Sequence, residues 1–103
     1  MGIMNVIAKR KLLYSIKGEP TQREFTVNIG APYPLEKESV SFNFDPGAAS
    51  CTIEFDGLHE RSIEVHGIDL LHALQMAVDI DPYLKGMQSK YNFYWCTGEP
   101  YFE

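Results

Sequence analysis

The hydrophobic period of this chain changes once, at Gly67, and that change restricts the fold more than any other feature of the sequence. Before it, apolar residues recur at every second position. In residues 5–17, Val6, Ala8, Leu12, Tyr14 and Ile16 share one register while Lys9, Lys11 and Ser15 share the other. Arg10 interrupts the apolar register, which suits a sheet edge or a strand end. Residues 22–29 set Phe25, Val27 and Ile29 against Glu24, Thr26 and Asn28. Three shorter segments repeat the pattern: Val40, Phe42 and Phe44; Cys51, Ile53 and Phe55; and Ile63 with Val65. Gly18-Glu19-Pro20-Thr21, Asp45-Pro46-Gly47 and Asp56-Gly57 punctuate them with turn residues, and the segment Gly30 to Glu38 reads as a loop marked by Pro32 and Pro34. Each strand has one apolar and one polar face. That is the signature of an antiparallel sheet with one wet side, not of a parallel sheet buried on both faces.

After Gly67 the spacing is helical, with Leu70, Ala73, Leu74, Ala77, Ile80 and Leu84 on one side. Asp69 is a natural N-cap, because its carboxylate can accept from the free amides of the first turn. Pro82 lacks a donor, so the main helix should end or kink near Ile80, with a further turn over Pro82 to Gln88. A last strand follows at 90–96. The expected fold is α+β: a curved antiparallel sheet of five to six strands with one main helix packed on one face, forming a single domain over residues 1–103. Leu70, Leu74, Ala77 and Ile80 should meet Phe25, Val27, Phe42, Phe44, Ile53 and Phe93. A helix of about 14 residues is about 21 Å long and about 10 Å wide. Six strands at about 4.8 Å spacing make a sheet nearly 30 Å across. One helix therefore leaves part of the apolar face open. Either the sheet curls round the helix, or a second copy or a foreign partner covers the remainder.

Six of the thirteen aromatic residues lie in the last thirteen positions. On a strand, Tyr91, Phe93 and Trp95 point one way, and Tyr94 points the other with Asn92 and Cys96. Two readings stay open. In one, Tyr91, Phe93 and Trp95 complete the core and Tyr101 and Phe102 fold back over the sheet. In the other, Tyr94, Tyr101 and Phe102, joined by Tyr33, form an exposed contact patch for a protein partner, using side chains that bring large area at low rotamer entropy.

The chemistry-bearing residues point away from catalysis. A net charge of −5 makes nucleic acid and anionic membrane surfaces poor partners. No apolar run reaches the ~20 residues a membrane span needs. Lys9, Arg10 and Lys11 follow an apolar stretch, the reverse of a signal peptide's order, and a cytoplasmic location is expected. Cys51 and Cys96 have neither CxxC nor zinc-type spacing, and Cys51 falls at an inward strand position. His66, Asp69 and His72 are spaced three apart, which carries their side chains around a helix axis instead of converging them on a metal. No cofactor or metal site is expected. Glu54 and Asp56 are explained by a wet strand face and a turn, leaving no candidate acid–base pair.

Val27-Asn28-Ile29-Gly30-Ala31-Pro32, Gly67-Ile68-Asp69-Leu70-Leu71-His72-Ala73-Leu74 and the Trp95 to Phe102 ending occur here in an order that resembles a family of small bacterial proteins with a domain of unknown function. His72 stands where that family's pattern has glutamine. The resemblance implies no activity and no catalytic residues. Some small acidic bacterial proteins of this kind look like immunity proteins that neutralise toxins. The expectation is a non-enzymatic module that binds a protein partner or itself. The alternative is a small-molecule-binding domain or minor enzyme, with an aromatic-lined pocket of a few hundred Å³ between helix and curled sheet.

Overall fold

The computed structural model describes residues 5–35 and 48–102, and the expected strand around Val40, Phe42 and Phe44 lies outside them. The alternating segments become strands β1 (Val6–Ile16), β2 (Arg23–Gly30), β3 (Tyr33–Pro34), β4 (Ala49–Asp56), β5 (Ile63–Gly67) and β6 (Tyr91–Tyr94). All observed pairings are antiparallel, and they join the six strands into one open sheet. β4 is central to one half: β5 takes one of its edges, and β2 followed by β3 takes the other. The stretch expected to be a loop thus holds a two-residue strand, which continues the line of β2 after a break at Ala31 and Pro32. β1 pairs with β2 on one side and with β6 on the other. Gly57, at the β4 turn, has φ +94°, a left-handed conformation that glycine adopts without a Cβ penalty.

The helical segment divides where the proline requires. Helix α1 (Leu70–Val78) starts from Asp69, whose Oδ1 accepts from the His72 amide at 2.7 Å. Helix α2 (Asp81–Lys85) carries Pro82 in its first turn, where a missing donor costs nothing. The core lies between these helices and the inner face of the sheet. Leu12, Tyr14, Phe25, Val27, Ile53, Phe55, Val65, Leu84, Tyr91 and Phe93 fill it, with Ala73 and Ala77 from α1. Tyr14 meets Phe25 and Tyr91 edge-on at 5.7 and 5.5 Å, a geometry favoured by the ring quadrupoles.

Three inward expectations are corrected. Leu70 is exposed although it shares a side with Ala73 and Ala77, because it is the first residue of α1 and its side chain, tilted towards the N-terminus, projects past the start of the helix. Val6, Ala8 and Ile16 are exposed, because the helical layer does not extend over the ends of β1. Trp95 is exposed, because β6 stops at Tyr94 and the chain turns there. The polar face is also less wet than its alternation implies. Ser15 and Ser50 are buried on it, each hydrogen-bonded: Ser15 to the Tyr94 hydroxyl at 3.0 Å, Ser50 to His66 Nδ1 at 2.7 Å.

Tyr91 gives the fold a measurable alkaline limit. Burial, reinforced by its 2.9 Å hydrogen bond to Glu60, pushes its phenol from 10.0 up to about 12. The folded state therefore holds this proton more tightly than the unfolded chain. The associated stability is complete below about pH 10 and is lost as pH rises towards 12. Glu60 shifts the other way: the Tyr91 hydroxyl holds its carboxyl below the usual range, so its contribution is present above that range and lost on acidification. Tyr91→Phe should flatten the alkaline fall. Thermal melts between pH 9 and 11 check this, and equal slopes for both proteins would contradict it.

Candidate interaction surface

The C-terminal tail closes the β6 edge of the sheet. The Gly98 amide donates to the Trp95 carbonyl in a turn, the Trp95 amide to the Glu99 carbonyl, and the Tyr101 amide to the Phe93 carbonyl. Tyr94 and Pro100 form a bridge. The tail thus supplies the partner that an edge strand otherwise offers to a foreign chain. Phe102 lands against Phe93 at 6.5 Å and Tyr101 edge-on to Phe102 at 4.9 Å, both half-buried.

Arg10 belongs to this cluster. It sits on the inner side of β1 at the point where the helical layer ends. Its guanidinium lies 5.5 Å from the centre of the Trp95 ring and donates to the Tyr101 hydroxyl at 2.8 Å. That hydroxyl in turn donates to Asp81 at 2.6 Å, tying β1 through the tail to α2. Burial and the Asp81 bond together raise the Tyr101 phenol above its ordinary value. The break in the β1 pattern therefore marks an exposed strand position held by the Trp95 ring and the Tyr101 hydroxyl of the tail.

The four residues expected in a contact patch are not brought together. Tyr101 and Phe102 fold over the core. Tyr94 points to the opposite face, half-buried over Ser15. Tyr33 is on β3, beyond the Gly30 end of β2 that pairs with Val6, whereas Tyr94 pairs with Leu13. Seven residues of strand separate those rows, over 20 Å at about 3.3 Å per residue. Tyr33 is exposed and donates to the Glu64 carboxylate at 2.7 Å. Nearby, Ser50 and His66 have the composition of a nucleophile and its base, but Ser50 is fully buried and offers no face to a substrate.

The surface that sequence reasoning missed is the outside of α1. The only buried residues of this helix are its two alanines, whereas Leu71 is 65% exposed, Val78 50% and Leu70 47%. Leu71 and Val78 are seven residues apart and fall on one line along the axis. Ile68, just before the helix, is 67% exposed. The helix contains no Asp, Glu, Lys or Arg. The signal was present in Leu70-Leu71: adjacent leucines lie about 100° apart on a helix, so a single buried stripe does not take both.

Beside α1, a groove of about 130 Å³ opens over the sheet, lined among the described residues by Ala8, Arg10, Val27, Ile29, Val78 and Ile80, with Lys9 at its edge. Val27, Ile29 and Ile80 at its floor are almost fully buried, so the groove exposes apolar surface mainly at Ala8 and Val78. It is aliphatic and shallow, unlike the aromatic pocket of a few hundred Å³ expected for an enzyme or ligand-binding site. Among the described residues, no helix is long and apolar enough to cross a membrane.

No protein-family model, curated protein or solved structure matches the chain. The resemblance drawn from its three short stretches accordingly brings no activity to these surfaces.

Proposed function

We propose that this chain is a non-enzymatic binding module that pairs with a second copy of itself through the outward face of α1. The observation that carries this reading is the apolar line along the outside of the helix, where Leu71 and Val78 are exposed while Ala73 and Ala77 are buried and Leu74 is half-buried against the core. Contiguous exposed apolar patches of a few hundred Å² on a soluble chain mark contact surfaces. The choice of a second copy rests on charge. Two copies carrying −5 each repel over most of their surface, but α1 has no charged residue. A neutral apolar face offers nothing for a strongly basic partner to read and is complementary to itself across a two-fold axis.

Neutralisation of a basic toxin is the less favoured version. It needs an acidic rim around Tyr94. Tyr94 instead shares its row with Leu13 and Glu24, with Lys11 4.0 Å from Glu24 and Lys17 bonded to the neighbouring Asn92.

Light scattering across concentration tests the proposal. The wild type should move from monomer to dimer mass. Leu71→Lys should weaken association about a hundredfold, because it strands a charge in an apolar contact at a cost of about 3 kcal/mol. Its circular dichroism should be unchanged, since the side chain is exposed. Tyr94→Ser should dimerise normally. A wild-type monomer at every concentration, or a Leu71→Lys dimer of normal strength, would overturn the reading, and a Tyr94→Ser monomer would relocate the contact to β6.

A further inference from the structure

We propose that the groove between β1 and the α1–α2 elbow binds a short-chain aliphatic carboxylate, its alkyl chain between Ala8 and Val78 above the buried Val27 and Ile29 and its carboxylate at the Arg10 guanidinium. The size sets the chain length. At about 130 Å³ the groove is close to the ~150 Å³ apolar cavity that accepts a benzene ring, so it holds four or five carbons. The floor is aliphatic, and Val78 and Ile80 from the elbow close one side. None of the described lining residues is polar and uncharged, so nothing there rewards an alcohol or an amide over an alkyl chain.

Charge sets the head group. Arg10 lines the groove from the inner side of β1, with Lys9 next to it on the strand but directed to the other face, and no described lining residue is acidic, in a chain whose acids outnumber its bases by 14 to 9. Among the described residues, Arg10 makes no salt bridge. The nearest acid bonded into its network, Asp81, is reached only through the Tyr101 hydroxyl. The guanidinium is nevertheless held in place, by that hydroxyl and by the Trp95 ring. Of its five donors, the Tyr101 contact uses one, which leaves a planar edge able to grip a carboxylate. Holding the cation before the ligand arrives lowers the ordering cost of binding.

The test is a titration of the full chain with sodium pentanoate, followed by the amide resonances of Ala8, Arg10, Val27, Ile29 and Ile80, with pentan-1-ol and pentylammonium as controls. Pentanoate should saturate these shifts with a Kd of roughly 1–10 mM, as befits a ligand of so few atoms. Pentan-1-ol should bind at least about fivefold more weakly and pentylammonium should not saturate. Arg10→Gln should erase the preference for pentanoate over pentan-1-ol. Because that change also frees the tail, Ala8→Leu provides a second variant: it fills the groove from an exposed strand position and should abolish binding with the fold intact. Val78 borders both proposed surfaces, so the titration is repeated on Leu71→Lys, where pentanoate binding should persist without self-association. Absence of saturable shifts, equal saturation by pentan-1-ol or pentylammonium, or undiminished binding to a folded Ala8→Leu would overturn the inference.

Discussion

Replacing Gly67 with alanine should destabilise the protein by about 3 kcal/mol, one of the largest effects expected from adding a single methyl group. Gly67 ends β5 just before α1, and the helix doubles back so closely that a Cβ would lie 2.4 Å from the Ala73 amide nitrogen and 2.8 Å from its Cα. Both obstacles are backbone. No side chain can rotate away, so the strand end and the first turn of α1 must separate. That separation would disturb the ladder from Gly67 to Ala49 and the packing of Ala73 in the core. In a domain of this size the loss corresponds to a fall in Tm of roughly 10–20 °C. Urea denaturation of both proteins measures it. A change below about 1 kcal/mol would mean that α1 sits farther from β5 than the structure places it.

The close approach at Gly67 was hidden in the sequence, although the change of period at that residue was plain. Local rules acted where local physics decides. The alternation of Phe25, Val27 and Ile29 produced β2, Asp69 capped α1, Pro82 divided the helices and Asp56-Gly57 turned the chain. Arg10 was legible as an exception, but its meaning depended on Trp95 and Tyr101, more than eighty positions away. The tail shows the same limit. Its aromatic richness was evident, yet whether Tyr94 and Tyr101 shared a surface depended on the strand ending at Tyr94 and on the turn at Gly98. The candidate surface was missed for a physical reason. Helical periodicity placed Leu70, Ala73, Leu74 and Ala77 on one inward side, and it left Leu71 and Val78 outside without marking them as a surface. The sheet approaches the inward side so closely that the alanines are fully buried there, with Leu74 half-buried beside them.

That close approach yields the second large prediction, in which lengthening a buried alanine costs more than shortening an exposed leucine. Ala77→Leu should cost about 3 kcal/mol, whereas Leu70→Ser should cost less than about 1 kcal/mol. Ala77 is fully buried between α1 and the sheet, and close-packed interiors have no room for three more heavy atoms without shifting the helix. Leu70 is 47% exposed, so serine gives up only part of a leucine's transfer free energy and leaves little cavity. Chemical denaturation of the two variants at a concentration low enough to keep the protein monomeric reads the difference directly. If Leu70→Ser proved the costlier change, the first turn of α1 would pack more closely against the sheet than the structure places it.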